Sequence, residues 1–283
     1  MAKFIPRSLL RYLTPVLISF LIFLGLEFFF IFPKIWALIA LFLFLVNFIA
    51  IWQLIPKTTQ ARLILNSQKF SLKLLFAFFR IITDREFINF LLPTLFLNLG
   101  SIIFLIFLPV GLFRHLVALF TAFLSFLFFK SLFLYFFRPE EYQARSLENV
   151  SLYLSLITFY FFSSSFLGLI IFADFLLWQA LLIYLAVTFL LVWQVFWVHQ
   201  FEVKNSWYYI FILCLLAGEF FWAINFLPLN FYVGGLLLAV IYYLFFSLSR
   251  RQLTGALEKK IVWHYLLLSL AIILIILATA EWR

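Results

Sequence analysis

The sequence predicts an all-α integral membrane protein: a polytopic helical bundle of about nine transmembrane helices, arranged as four hairpins plus a closing helix. Two observations carry that fold class and a third orients it. Hydrophobic residues make up 67% of the 283 residues and the mean hydropathy is +1.18, more apolar side chain than a water-soluble core hides. The apolar residues form continuous runs rich in Leu and Phe, not the short alternating segments of a membrane barrel. The basic residues gather in alternate connections between these runs, as membrane orientation requires.

A spanning helix needs ~20 apolar residues to cross ~30 Å of hydrocarbon. Runs of that length are placed at Leu13–Phe32, Ile35–Ile55, Phe87–Leu108, His115–Phe137, Val150–Phe172, Phe175–Val198, Trp207–Leu227, Asn230–Leu248 and Val262–Ala280. The first run has no small-residue cleavage site and leads straight into another span, so it reads as an uncleaved signal-anchor helix. Residues 1–283 form a single membrane-embedded domain in this reading, with 57–86 as a cytoplasmic connector. Pro33-Lys34, Pro109-Val-Gly111, Ala173-Asp174 and Pro228-Leu-Asn230 supply tight outer turns.

With the N-terminus inside, the inner segments carry Lys3, Arg7, Arg11, Lys57, Arg62, Lys69, Lys73, Arg80, Arg85, Arg138, Arg145, Lys204, Arg250, Arg251, Lys259 and Lys260. The outer segments carry only Lys34, Arg114 and Arg283. Lys130 lies near the inner end of a span and can snorkel. Making Leu63–Thr83 a tenth span buries Lys69, Lys73 and Arg80 and reverses the bias downstream, so the sequence favours nine. The expected setting is the plasma membrane of a bacterial cell, with the N-terminus cytoplasmic and the C-terminus outside. The net charge of +9 follows from this topology and gives no reason to invoke nucleic acid.

Between the second and third spans, Lys69, Lys73, Arg80 and Asp84 fall near one stripe at helical spacing. Phe70, Leu74, Leu75, Phe78, Ile81 and Ile82 fall broadly opposite. This is the pattern of an amphipathic helix lying in the membrane surface, with Lys69, Lys73 and Arg80 meeting anionic lipid headgroups. The plainer reading is a surface-lying connector. The strings GLEFFFIFP at 25–33, GSIIFLIFLP at 100–109, GLIIFAD at 168–174 and GEFFWAINFLP at 218–228 suggest a hairpin repeat of the kind transporter folds contain; recurrence by composition is the alternative.

Two carboxylates fall inside spans, Glu27 and Glu219. A carboxylate at mid-span costs ~2.5–3.5 kcal/mol on insertion scales and is a functional-site candidate by default. Glu219 lies ~13 Å from the turn at Pro228 at 1.5 Å per residue, beside the small residues Ala217 and Gly218, with Trp222 one turn away and Asn225 nearer the turn. Glu27 lies ~9 Å from Pro33 by the same rise. Glu219, Glu27, Trp222 and Asn225 are the expected substrate- or ion-binding residues; the competing reading makes Glu219 a hydrogen-bonded packing group. Asn47, Asn98, Gln179, Gln194 and Ser163–Ser165 are expected in hydrogen bonds between helices.

Cys214 is alone, and His115, His199 and His264 do not converge in sequence. No HExxH, phosphate-binding loop or nucleophile elbow occurs, so neither a cofactor nor a metal site is expected. Asn149-Val-Ser151 fits a glycosylation pattern but lies on the inner side in this topology. The string Glu140-Glu141-Tyr-Gln-Ala-Arg145 resembles the first motif of the CAAX-protease-like membrane family over six residues. That resemblance implies FxxxH and HxxxN/D motifs downstream, where this chain has Val195 before His199, Lys260 before His264, and Val203 and Leu268 after them. Pro139 at a helix start and a Glu141–Arg145 pair at i,i+4 account for the string more simply.

Three function classes remain on this reading. The first is a transporter or permease-like protein for a small or lipidic solute, using an intramembrane carboxylate. The second is a non-catalytic structural or assembly subunit holding a membrane-protein partner or a second copy. A membrane-embedded enzyme comes third, because reactive residues are few and scattered.

Overall fold

The computed structural model describes residues 7–55, 85–143, 145–201 and 203–280. Among them are nine helices long and apolar enough to cross a membrane, and the protein is an all-α polytopic bundle. They are α1 (Arg7–Ile31), α2 (Trp36–Leu54), α3 (Arg85–Phe107), α4 (Leu112–Phe137), α5 (Ser146–Phe172), α6 (Leu177–Val198), α7 (Val203–Ile224), α8 (Phe231–Leu253) and α9 (Lys259–Thr279). A helix closes most of its backbone hydrogen bonds within itself, as hydrocarbon demands, and only α1 and α3 carry an internal proline among the described helices, Pro15 and Pro93. The connector at 57–86, with Lys69, Lys73 and Arg80, and the rival span at 63–83 lie outside the described residues or at their margin.

The ends differ from the apolar runs where local chemistry overrides hydropathy. At the end of α7, Pro228 disfavours helix in the residue before it, and the helix stops at Ile224. Asn230 then caps α8, its Oδ1 accepting from the Tyr232 N–H at 3.3 Å. The same helix runs on through Arg250 and Arg251 and closes in a Schellman motif: Gly255 (φ +67°) donates to Gln252 and Ala256 to Arg251, both at 3.0 Å. Only Gly takes that left-handed position without strain.

The chain packs as two compact units. In the first, α1 lies against α2 and α4, and α2 touches α4. Phe48 meets Phe87 edge-on at 5.1 Å, joining α2 to α3, and Phe90 meets Phe136 at 5.7 Å, joining α3 to α4. The connection after α4 corrects the expected Glu141–Arg145 pair. Glu141 pairs instead with Arg138. Pro139 ends α4, α5 begins only at Ser146, and Arg145 takes φ +64°, so no helical turn joins 141 to 145. Tyr142 accepts a hydrogen bond from the Leu147 N–H at 3.0 Å, satisfying one orphan donor of the first turn of α5.

The second unit holds the rest of α5 with α6–α9 and Ile103–Leu108. Its core is aromatic. The Tyr184 ring stacks on Phe221 at 4.4 Å, and Phe159 stacks on Tyr242 at 4.2 Å. The Tyr242 hydroxyl meets Ser155 Oγ at 3.0 Å, and Tyr232 donates to the Phe107 carbonyl at 2.7 Å. α5 approaches α8 closely: a Cβ on Gly235 would lie 2.8 Å from the Ser164 backbone nitrogen. Gly25, Gly168 and Gly218 also face tight contacts, but with a side chain of the following helix, with Phe107, and with Leu185 of the preceding helix. The recurring glycines thus occupy unequal packing positions.

Gly235→Ala is expected to destabilise the fold by about 1–3 kcal/mol through overpacking against backbone. Gly218→Ala should cost less, since its methyl meets the side chains of Leu185 and Leu181 and no backbone; thermal unfolding in detergent compares the two. Tyr142→Phe should cost about 1 kcal/mol by leaving the Leu147 N–H unpaired. Burial raises the Tyr142 phenol above its ordinary 10.0, against the lowering effect of the Leu147 bond. Its contribution is therefore complete below that value and lost as pH rises through the raised one, a loss the Phe variant should lack.

Candidate functional site

Sequence reasoning places Glu219 and Trp222 on one face of α7, and the structure brings both to one groove. The α7 positions 207, 211, 214, 218 and 222 follow helical spacing and form a stripe beside the Leu181–Leu185–Phe189 ridge of α6. The depression between them has a volume of about 610 Å³ and is apolar apart from Glu219. Gly218 keeps it open on the α7 side, and Leu185 fills close to its Cα. Trp207 lies at one end, packed on Phe189 and Trp193 with ring centroids 6.0 and 5.1 Å away. Trp222 lies at the other, edge-on to Phe226 at 5.0 Å.

Glu219 and Trp222 are both exposed on this face. Among the described residues the carboxylate has no hydrogen-bond or ion-pair partner. Asn225 is half-buried beyond the end of α7 and takes no part in the lining. The groove is therefore an apolar surface with one acid in it, suited to an amphiphile that brings its own cationic or hydrogen-bond-donating group.

Glu27 belongs to the first unit and has an intramolecular partner. Nδ1 of His115, on α4, sits 2.9 and 2.8 Å from the two oxygens of the Glu27 carboxylate. The Glu27 side chain is 22% exposed and His115 56%. The His115 ring also meets Phe30 edge-on at 5.4 Å, and the Arg114 guanidinium lies 5.9 Å from the Phe30 centroid. The acid thus holds α1 to α4 at the first turn of α4.

Reading the histidines one by one misses this pairing. The usable signal is depth: Glu27 lies six residues before Pro33 and His115 six after Pro109. Of the other polar groups expected between helices, Ser163 donates to Tyr184 across α5 and α6 at 3.5 Å. Asn47 instead donates to Leu43 of its own helix. Among the described residues no three His, Cys, Asp or Glu side chains gather as a metal-holding group.

The chain belongs to the family described as Protein of unknown function (DUF5656), which matches residues 80–279. That span includes α7 and Glu219 and excludes α1 and Glu27. No curated protein and no solved structure matches the chain.

A double-mutant cycle on Glu27→Gln and His115→Ala should give a coupling of about 1 kcal/mol in stability, measured by unfolding in detergent. Additive losses would mean that the pair does not hold the two helices.

Proposed function

We propose that the protein is a permease-like membrane protein that takes a lipidic solute from the bilayer into the groove between α6 and α7, with Glu219 as its polar contact. The observation that carries this reading is a solute-sized apolar groove containing a single carboxylate. Pockets for small ligands pair such a lining with a few placed polar groups, and this volume falls within their usual range of ~300–1,000 Å³. The scarcity of polar residues argues for a lipidic solute over one that needs an aqueous path. Trp222 supplies a ring face beside the carboxylate. Asn225 and Glu27 lie outside this groove and are not part of the proposed site.

In this reading the plasma membrane of a bacterial cell holds the protein, with the N-terminus cytoplasmic and the C-terminus outside. The excess of basic residues on alternate connections supports that orientation. Lys69, Lys73 and Arg80 then face anionic headgroups at the inner leaflet.

One observation favours the assembly-subunit reading. Among the described residues Ser269 is the only buried one of α9, and α9 packs against α8. Its remaining apolar face is long enough to take a transmembrane helix of a partner. Co-purification of a membrane protein from native membranes, abolished by Leu267→Arg and Leu274→Arg on that face, would support this reading.

The transport reading is tested in vesicles. Glu219→Gln is expected to slow transbilayer movement of a fluorescent amphiphilic amine by about ten- to a hundredfold, as losing a charge-assisted bond of ~1.5–3 kcal/mol implies, with the fold unchanged. Gly218→Leu, which fills the groove, should slow it comparably. Flux at the wild-type rate in both folded variants would exclude the groove as a transport site.

A further inference from the structure

We propose that Asn47 and Asn98 form a buried hydration site inside the membrane span, holding one or two water molecules between α2 and α3. Both residues fall in the middle third of their helices, and they are only 1% and 2% exposed. The Nδ2 of Asn47 donates to the Leu43 carbonyl at 2.7 Å. Among the described residues its Oδ1 has no hydrogen-bond partner, and neither has either side-chain atom of Asn98.

These atoms line one small cavity of about 70 Å³, whose other walls, including Leu43, Phe44, Leu95 and Ile102, are apolar. Two acceptor oxygens and one NH2 donor are thus gathered, away from bulk water, where no other described side chain serves them. Buried polar groups in proteins almost always find a partner.

The size and chemistry select the ligand. At ~30 Å³ per molecule the cavity has room for about two waters. Water both donates and accepts, so it can take a hydrogen from Asn98 Nδ2 and give its own to Asn98 Oδ1 and Asn47 Oδ1. A hard divalent cation needs about six oxygen ligands, and two neutral carboxamide oxygens fall far short. An apolar guest would leave all three groups unserved. The site ties α2 to α3 within the first unit and does not depend on the proposed transport activity.

Water-edited solid-state NMR tests the site on the full chain, ¹⁵N-labelled at asparagine side chains and held in lipid bilayers. Magnetisation from water is expected to reach the side-chain NH2 groups of both Asn47 and Asn98. Asn98→Leu should abolish the transfer to Asn47. The wild-type spectrum decides the matter even if that variant fails to fold. No transfer to Asn98, or a direct amide–amide contact without water transfer, overturns the proposal. So does transfer to Asn47 that persists in a folded Asn98→Leu protein.

Discussion

Hydrocarbon cannot hydrogen-bond a peptide group, and the rest of this structure follows from that. Each backbone N–H and C=O within a span must be satisfied by its own helix, which fixes element type before any side chain is considered. Lipid tails are as apolar as Leu, so helices gain little by burying Leu against one another. Association then depends on close packing. In the second unit this means Gly235 against the backbone of Ser164 and a run of contacting rings through Tyr184, Phe159 and Tyr242. The abundance of Phe, which composition alone leaves unexplained, thus has a packing role.

The same constraint governs the polar side chains. Several hydroxyls in spans fold back on their own helix: Ser19 donates to Pro15, Ser125 to Thr121, Ser165 to Phe161 and Thr188 to Tyr184. A back-bonded hydroxyl is satisfied but spends nothing on a neighbouring helix. Few groups remain for recognition or for joining helices. Ser155 and Ser163 reach tyrosines on other helices, and Glu27 reaches His115. Polarity in these spans is therefore a poor guide to function until its partner is known.

That distinction explains what could be read from the sequence. The spans were legible because length and hydropathy are local properties, and Glu219 with Trp222 was legible because i,i+3 places two residues on one helical face. The Glu27–His115 contact joins residues 88 positions apart and needs the packing of α1 on α4, which hydropathy does not encode. Arg145 was misread because a local spacing rule assumed a helix starting at Pro139, whereas α5 begins only at Ser146. The ends of α7 and α8 shifted for a similar reason: Pro228, Asn230 and Gly255 act through backbone geometry, while the apolar run reports only on solvent.

The two intramembrane acids have different surroundings, and this separates their roles more clearly than depth does. Glu27 is accounted for by His115, so its cost of burial is offset within the first unit. Glu219 has no such partner among the described residues, yet α7 presents it on the stripe that faces α6, beside a glycine and between two tryptophans. A packing role requires a partner on a neighbouring helix, since an intramembrane carboxyl acts as glue only through the hydrogen bond it makes. An acid held in an apolar groove is served by whatever enters that groove. In the transport reading proposed above, the entrant is a molecule with an apolar body that fits between the ridges of α6 and α7 and a polar group that reaches one carboxylate.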